Sequence, residues 1–200
     1  MNIVSPPRML RALIASTLFL AGSQPVLSRA ADWSIDQLMQ SLAKTRSGRA
    51  TFTEKKYFAI LERPVQSSGE LSYAAPDRLE KRTIKPKPEN MVLEGSTLTI
   101  ERGRQKYTAQ LQDIPELAGF IDSIRGTLAG DRKALERSFK LQLEGPAEHW
   151  TLTLKPTDAK LLTVVHLVRI SGVEDNVRNI EVIQTDGDRS SMTIERIASQ

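Results

Sequence analysis

The chain has no cysteine, only two histidines, and aromatic side chains at just 5% of its 200 residues. Without a thiol there can be no thiolate nucleophile, no thiolate metal site and no disulfide. In an exported protein that leaves the apolar core to supply stability, and it rules out attachment of a lipid at a cleavage-point cysteine. Two imidazoles and no thiolate leave a transition-metal centre short of its usual ligands. His149 precedes Trp150 with only the adjacent Glu148 beside it. His166 lies within Val164–Val168, where a histidine reads as a packing or strand-edge residue. The sequence has no G-x-S-x-G elbow, no H-E-x-x-H and no glycine-rich phosphate loop. We expect no enzyme, no cofactor, no catalytic residue and no metal site.

A strong charge of one sign is also missing. The formal charge is +4, but Arg8, Arg11 and Arg29 fall in the first thirty residues, which hold no acid. Beyond them 25 Lys and Arg face 24 Asp and Glu, a balance of +1. Such a surface offers no electrostatic case for nucleic acid. The basic run Arg78, Lys81, Arg82, Lys85 and Lys87 is diluted by Asp77, Glu80 and Glu89 and broken by Pro86 and Pro88. It reads as a charged strand edge that resists aggregation, with an acidic partner or anionic lipid as the alternative.

Long apolar runs are absent after residue 30. Before it, Arg8 and Arg11 lead into Ala12–Gly22, an apolar stretch shorter than the roughly 20 residues that span a bilayer. Small residues at Ser28 and Ala30 then complete the form of a cleaved secretory signal. An uncleaved anchor is the alternative. We expect residues 1–30 to be a signal peptide and 31–200 a single exported domain.

What is present is mostly strand pattern. Ser34 with Gln37 makes a capping-box pair, and Ile35, Leu38, Met39 and Leu42 follow at helical spacing. Strand-like runs come next at Arg49–Tyr57, Gly69–Ala74, Leu79–Ile84, Met91–Glu94, Thr97–Glu101 and Lys106–Leu111. Gly, Pro or Asn separates most of them, as in an antiparallel meander. Within Gly69–Arg82, Leu71 and Tyr73 share a face, and Leu79 follows the break at Pro76. The period then changes. Asp113 is placed to cap a helix with Pro115 in its first turn and an apolar stripe of Ile114, Leu117, Ala118, Ile121, Ile124 and Leu128, ending at Gly130. Asp131 is placed to cap a second helix through Phe139. Strands resume at Lys140–Glu144, Trp150–Lys155, Leu161–Ser171, Val177–Thr185 and Ser190–Ile197, the last two joined at Asp186-Gly187. This is an α+β chain, mostly antiparallel sheet.

Four pieces, in order, resemble the periplasmic carriers of the outer-membrane lipoprotein pathway (LolA type). Ala50–Glu54 (ATFTE) is similar to that family's A-S-F-T-Q strand, and Gly69-x-Leu71 through Pro76 and Leu79 to its G-x-L, R-P, aromatic strand pair. Leu93–Leu98 (LEGSTL) is similar to its S-D-G-x-x-L-W hairpin, and Asp188–Ser191 (DRSS) to its late D-x-R-S-S. The likeness spans roughly Ile35 to Ile197. It implies an unclosed antiparallel β half-barrel covered by a lid of a few α-helices, with an apolar cavity between them. It further implies a monomeric periplasmic chaperone that binds acyl chains of a lipoprotein or other lipidated cargo, loaded by an inner-membrane exporter and relieved by an outer-membrane acceptor. A regulatory module of the same fold that senses lipid or lipoprotein is the alternative. Such regulators carry a second domain, for which 170 residues leave no room. Sheltering a chain from water is worth about 0.8 kcal/mol per methylene, so an apolar groove is sufficient machinery.

On this resemblance the lipid-binding candidates are Phe52, Leu71, Tyr73, Leu79, Leu98, Ile100, Leu117, Ile121, Leu128, Trp150 and Leu152, each equally readable as core. The family also places an arginine before the strand-ending proline, where it holds the lid shut through lid carbonyls. Here Ala75 occupies that position, and Arg78 is the nearest substitute. Thr99 and Lys81 stand where the family has tryptophans.

Overall fold

The computed structural model describes residues 33–197. The expected signal segment and its cleavage site lie outside them. Ser34 caps α1 (Ile35–Leu42) with a complete capping box: its hydroxyl accepts from the Gln37 N–H, and the Gln37 side chain accepts from the Ser34 N–H. The apolar stripe buries Leu38, Met39 and Leu42.

Six strands follow: β1 (Ser47–Tyr57), β2 (Val65–Ala74), β3 (Arg78–Lys85), β4 (Glu89–Glu94), β5 (Thr97–Arg102) and β6 (Gln105–Gln110). After α2 (Pro115–Ala129) and α3 (Arg132–Glu136) come β7 (Phe139–Glu144), β8 (Trp150–Pro156), β9 (Val165–Val173), β10 (Asn176–Gln184) and β11 (Arg189–Arg196). Among the described residues these form one eleven-stranded antiparallel sheet, in the order β6-β5-β4-β3-β2-β1-β11-β10-β9-β8-β7. It is two meanders rather than one, sewn together where β1 pairs β11 at the middle. The sheet does not close: β6 and β7 are its two opposite edges.

That topology explains the helices. The segment from Leu111 to Ser138 must carry the chain from one edge of the sheet to the other, so it has to cross a face. The face it crosses is apolar, and the α2 stripe packs against it. Two buried clusters result. The larger joins α1, α3 and β7–β10 around Trp150, Leu152, Leu154, Val168 and Ile170. The smaller joins α2 to β4 and β5 through Leu93, Leu98, Leu111 and Ile121. Phe120 on α2 packs against both. Gly130, at φ +65°, ends α2, and a Cβ there would stand 2.1 Å from the Met39 carbonyl oxygen. Only glycine permits both the left-handed turn and this close approach of α1.

Five local expectations are corrected. Leu111–Asp113 is a 3-10 turn, and Ile114, not Asp113, sits at the α2 N-cap without a side-chain bond. Ile114 precedes Pro115, which bars it from helical geometry, so the helix starts at the proline. Asp131 does cap α3, accepting from the Ala134 N–H, but α3 stops at Glu136 and Phe139 opens β7 instead, buried in the larger cluster. Leu161–Thr163 is a 3-10 turn set by Asp158, whose carboxylate accepts from the N–H groups of Lys160 and Leu161. The basic run is not a sheet edge, because β3 lies between β2 and β4. Arg78, Lys81 and Arg82 each meet a carboxylate, from Glu80 and Glu94, Glu54, and Glu70 respectively. Finally, His166 is exposed on an interior strand, neither packed nor at an edge, beside the β9–β10 register shift.

Candidate functional site

Between the two clusters the inner face of the sheet and the underside of α2 enclose a cavity of about 260 Å³. Strand alternation decides what reaches it. On β1 the even positions face in, so Gly48, Ala50 and Glu54 line it. Register then places Leu71 beside Ala50 and Lys81 beside Leu71, with Tyr73 and Leu79 one step along. Met91 and Leu93 continue on β4, and Ile180, Val182, Met192 and Ile194 on the far side of the β1–β11 seam. Phe120, Ile121, Ile124 and Leu128 of α2 form the roof. The lining is dominated by side chains that can only offer dispersion and water exclusion, a setting for hydrocarbon.

Two polar groups interrupt it, one of Thr45, Arg49, Asp175, Asn176 and Arg196 and the other of Glu54, Lys81 and Ser190. Glu54 is 5% exposed. Its carboxylate accepts from Lys81 Nζ at 2.5 Å, Ser190 Oγ at 2.7 Å and Ser67 Oγ at 3.3 Å, with Lys56 Nζ at 3.8 Å. The Lys81 ammonium also stands 4.9 Å from the Phe52 ring centroid. Burial pushes the Glu54 carboxyl up, but Lys81, Lys56 and the Ser190 bond outweigh it and hold it below its ordinary 4.5. A depressed folded value gives a stability contribution that is complete above 4.5 and is lost as pH falls through the folded value. The urea midpoint of the wild type should therefore drop more between pH 7 and pH 4 than that of Glu54→Gln/Lys81→Met. Equal drops would show that Glu54 is not held ionised. The Tyr73 hydroxyl, also in the wall, has no hydrogen-bond partner among the described residues, and burial raises its pKa.

Six of the eleven sequence candidates come together around this cavity: Leu71, Tyr73, Leu79, Leu98, Ile121 and Leu128. Phe52 is on the same inner face but buried beneath Lys81. Ile100 and Leu117 pack against the smaller cluster, and Trp150 and Leu152 lie inside the larger one, away from the lining. Sequence reasoning missed the far wall, although Ile180/Val182 and Met192/Ile194 alternate at period two on either side of the Asp186-Gly187 turn. It also missed the Glu54–Lys81–Ser190 cluster, which the first and last family-like pieces build with Lys81, two residues beyond the second. Asp188 ties that last piece down by accepting from the Ala59 N–H at 2.9 Å.

A family model for LolA-like outer membrane lipoprotein carrier proteins matches residues 27–199. The chain belongs to that family. It is 28% identical over 150 residues to the outer-membrane lipoprotein carrier protein of Dechloromonas aromatica (strain RCB), an alignment spanning 74% of this chain and 64% of that protein. Among solved structures it is similar to a LolA superfamily protein from Nitrosomonas europaea, at TM-score 0.43 and 9% identity over 84% of this chain and 94% of that one. It is also similar to the MucA/MucB complex structure of Pseudomonas aeruginosa, at TM-score 0.46 and 14% identity over 83% and 58%.

In this LolA-like chain the fastening of α2 to the sheet runs through α2 itself. Arg78 does not reach α2; it turns to Glu80 and Glu94. Ala75 lies in the β2–β3 turn, its N–H donating to the Arg46 carbonyl at 2.8 Å. Instead Arg125 of α2 donates from Nη1 to the carbonyl of Gly95, in the β4–β5 turn, at 2.9 Å. Asp122 holds the same guanidinium at 3.1 Å. Among the described residues no helix is long and apolar enough to cross a membrane.

Proposed function

We propose that the chain is a periplasmic carrier that shelters acyl chains of a lipoprotein or other lipidated cargo in this cavity and hands them to an outer-membrane acceptor. An inner-membrane exporter supplies the cargo, and no covalent chemistry takes place on the carrier. The observation that supports this most directly is the apolar cavity itself, roofed by a helix held to the sheet at Gly95 by one charge-assisted hydrogen bond. A bond of that kind is worth about 1.5–3 kcal/mol and adds to the packing of Ile121 against Leu93 and Leu98.

Native mass spectrometry of protein prepared from the periplasm should find a bound acylated molecule, and delipidated protein should take up a fluorescent acyl probe. A delipidated protein that binds no such probe would sink the carrier reading. Arg125→Met should free the roof: amide exchange in α2 should speed up by about tenfold or more. Arg78→Met should leave that exchange alone, because the ion pairs of Arg78 are to Glu80 and Glu94 on the sheet.

A further inference from the structure

We infer that Lys81 anchors the head of the cargo, and that the cavity is built for a single acyl chain ending in a carboxylate rather than an uncharged lipid. This rests on the carrier reading above for the cavity and its acyl-chain binding, and differs from it in the cargo: a free fatty acid, since an acyl chain joined to a protein as ester or amide keeps no carboxylate.

Lys81 projects from the inner face of β3, with Leu71 on one side in the register and Met91 on the other. An ammonium has three N–H donors. Among the described residues Lys81 gives one of them, to Glu54, and has no second protein acceptor. Its side chain is 24% exposed, so the remaining donors are neither sealed off nor fully hydrated. The Glu54 carboxylate is in the opposite condition: Lys81, Ser190 and Ser67 all donate to it. The cluster's carboxylate has three donors while its ammonium has one acceptor, so the unmet capacity on the lysine is for an acceptor. Lys56 and Lys81 against Glu54 also leave a local charge of +1 beside hydrocarbon. The ligand atom that fits is an anionic oxygen.

The rest of such a ligand fits the wall. Glu54 and Gly48 both line the cavity, and the six residue steps from one to the other along β1 span about 20 Å. A chain whose head sits at Lys81 runs from there past Leu71, Tyr73 and Ile180 beneath the α2 roof. Glu54 keeps Lys81 aimed and charged while the cavity is empty, and it competes with the incoming carboxylate, so the anchoring is reversible. An ammonium is a point charge without a bidentate fork, which suits a compact head that has to be released.

The test is displacement of a neutral fluorescent acyl probe from the delipidated protein by laurate and by dodecanol, which share a twelve-carbon chain. Laurate should bind about tenfold more tightly than dodecanol. In Glu54→Gln/Lys81→Met, which removes both charges together, that ratio should fall to about one while dodecanol binding is kept. Glu54→Gln alone should raise laurate affinity, because Lys81 loses its internal partner. Equal affinities in the wild type would overturn the inference and leave the carrier reading standing; displacement by neither ligand would overturn the carrier reading. A laurate preference that survives in the double variant would move the head away from Lys81, and lauryl phosphate binding well above laurate would overturn the carboxylate assignment. Should the double variant fail to fold by circular dichroism, the wild-type ratio and the Glu54→Gln shift still decide.

Discussion

Trp150→Ala is expected to cost the fold about 4 kcal/mol, a large share of the 5–15 kcal/mol by which proteins of this kind are stable. The indole is 1% exposed at the start of β8, in the cluster that α1 shares with β7–β10. Its Nε1–H donates to the Glu174 carbonyl at 2.9 Å, pinning the β9–β10 turn. The ring lies so close over Gly172 that a Cβ there would stand 2.5 Å from the indole. Truncation to alanine leaves a cavity and unpins the turn, and no cysteine bridge is present to compensate. The melting temperature should fall by roughly 10 °C. Trp150→Phe, which refills most of the volume and loses only the hydrogen bond, should fall by less than half as much. A Trp150→Ala protein melting within two or three degrees of the wild type would remove Trp150 from this role.

Leu128→Glu is expected to cut affinity for a twelve-carbon acyl probe by about a hundredfold while sparing the fold. Leu128 lines the cavity from the last turns of α2, is half-buried, and belongs to neither buried cluster. A carboxylate there stays partly hydrated in the empty protein, but it must be stripped of water or expelled when a chain enters. Ile121→Glu is the contrasting variant. Ile121 lines the same cavity yet is 7% exposed and packed with Leu93, Leu98 and Leu111. It should lose acyl binding and thermal stability together, because its charge is buried in both states. If Leu128→Glu binds the probe as the wild type does, acyl chains do not lie under α2.

The two variants mark where sequence reading stops. The α2 stripe is plain at helical spacing from Ile114 to Leu128, yet periodicity cannot separate a position facing packed side chains from one facing an empty groove. Leu128 and Ile121 differ only in what the sheet places opposite them. Trp150 and Leu152 show the same limit on a strand: their alternation is that of Leu71 and Tyr73, but β8 lies under α1 and β2 lies under open space. For Ala75 and Arg125 the reason is different. The side-chain bond from α2 to the β4–β5 turn comes from an arginine about fifty residues from Ala75, and a bond to a backbone carbonyl leaves no residue-type signature at its acceptor.

The sequence by itself determined the elements: the capped α1, the eleven strands with their Gly and Pro turns, the apolar α2 stripe ending at Gly130, and the family to which they point. These follow from local physics, since capping, turn conformation and hydrophobic period act within a few residues. Only the tertiary structure decided that β1 pairs β11, that β6 and β7 lie at opposite edges, and that the chain between them must therefore cross the sheet as a roof. It also decided that Glu54, Lys81 and Ser190 share one buried cluster. Those facts depend on contacts between residues far apart in the chain, where strand register rather than local spacing sets which side chains meet.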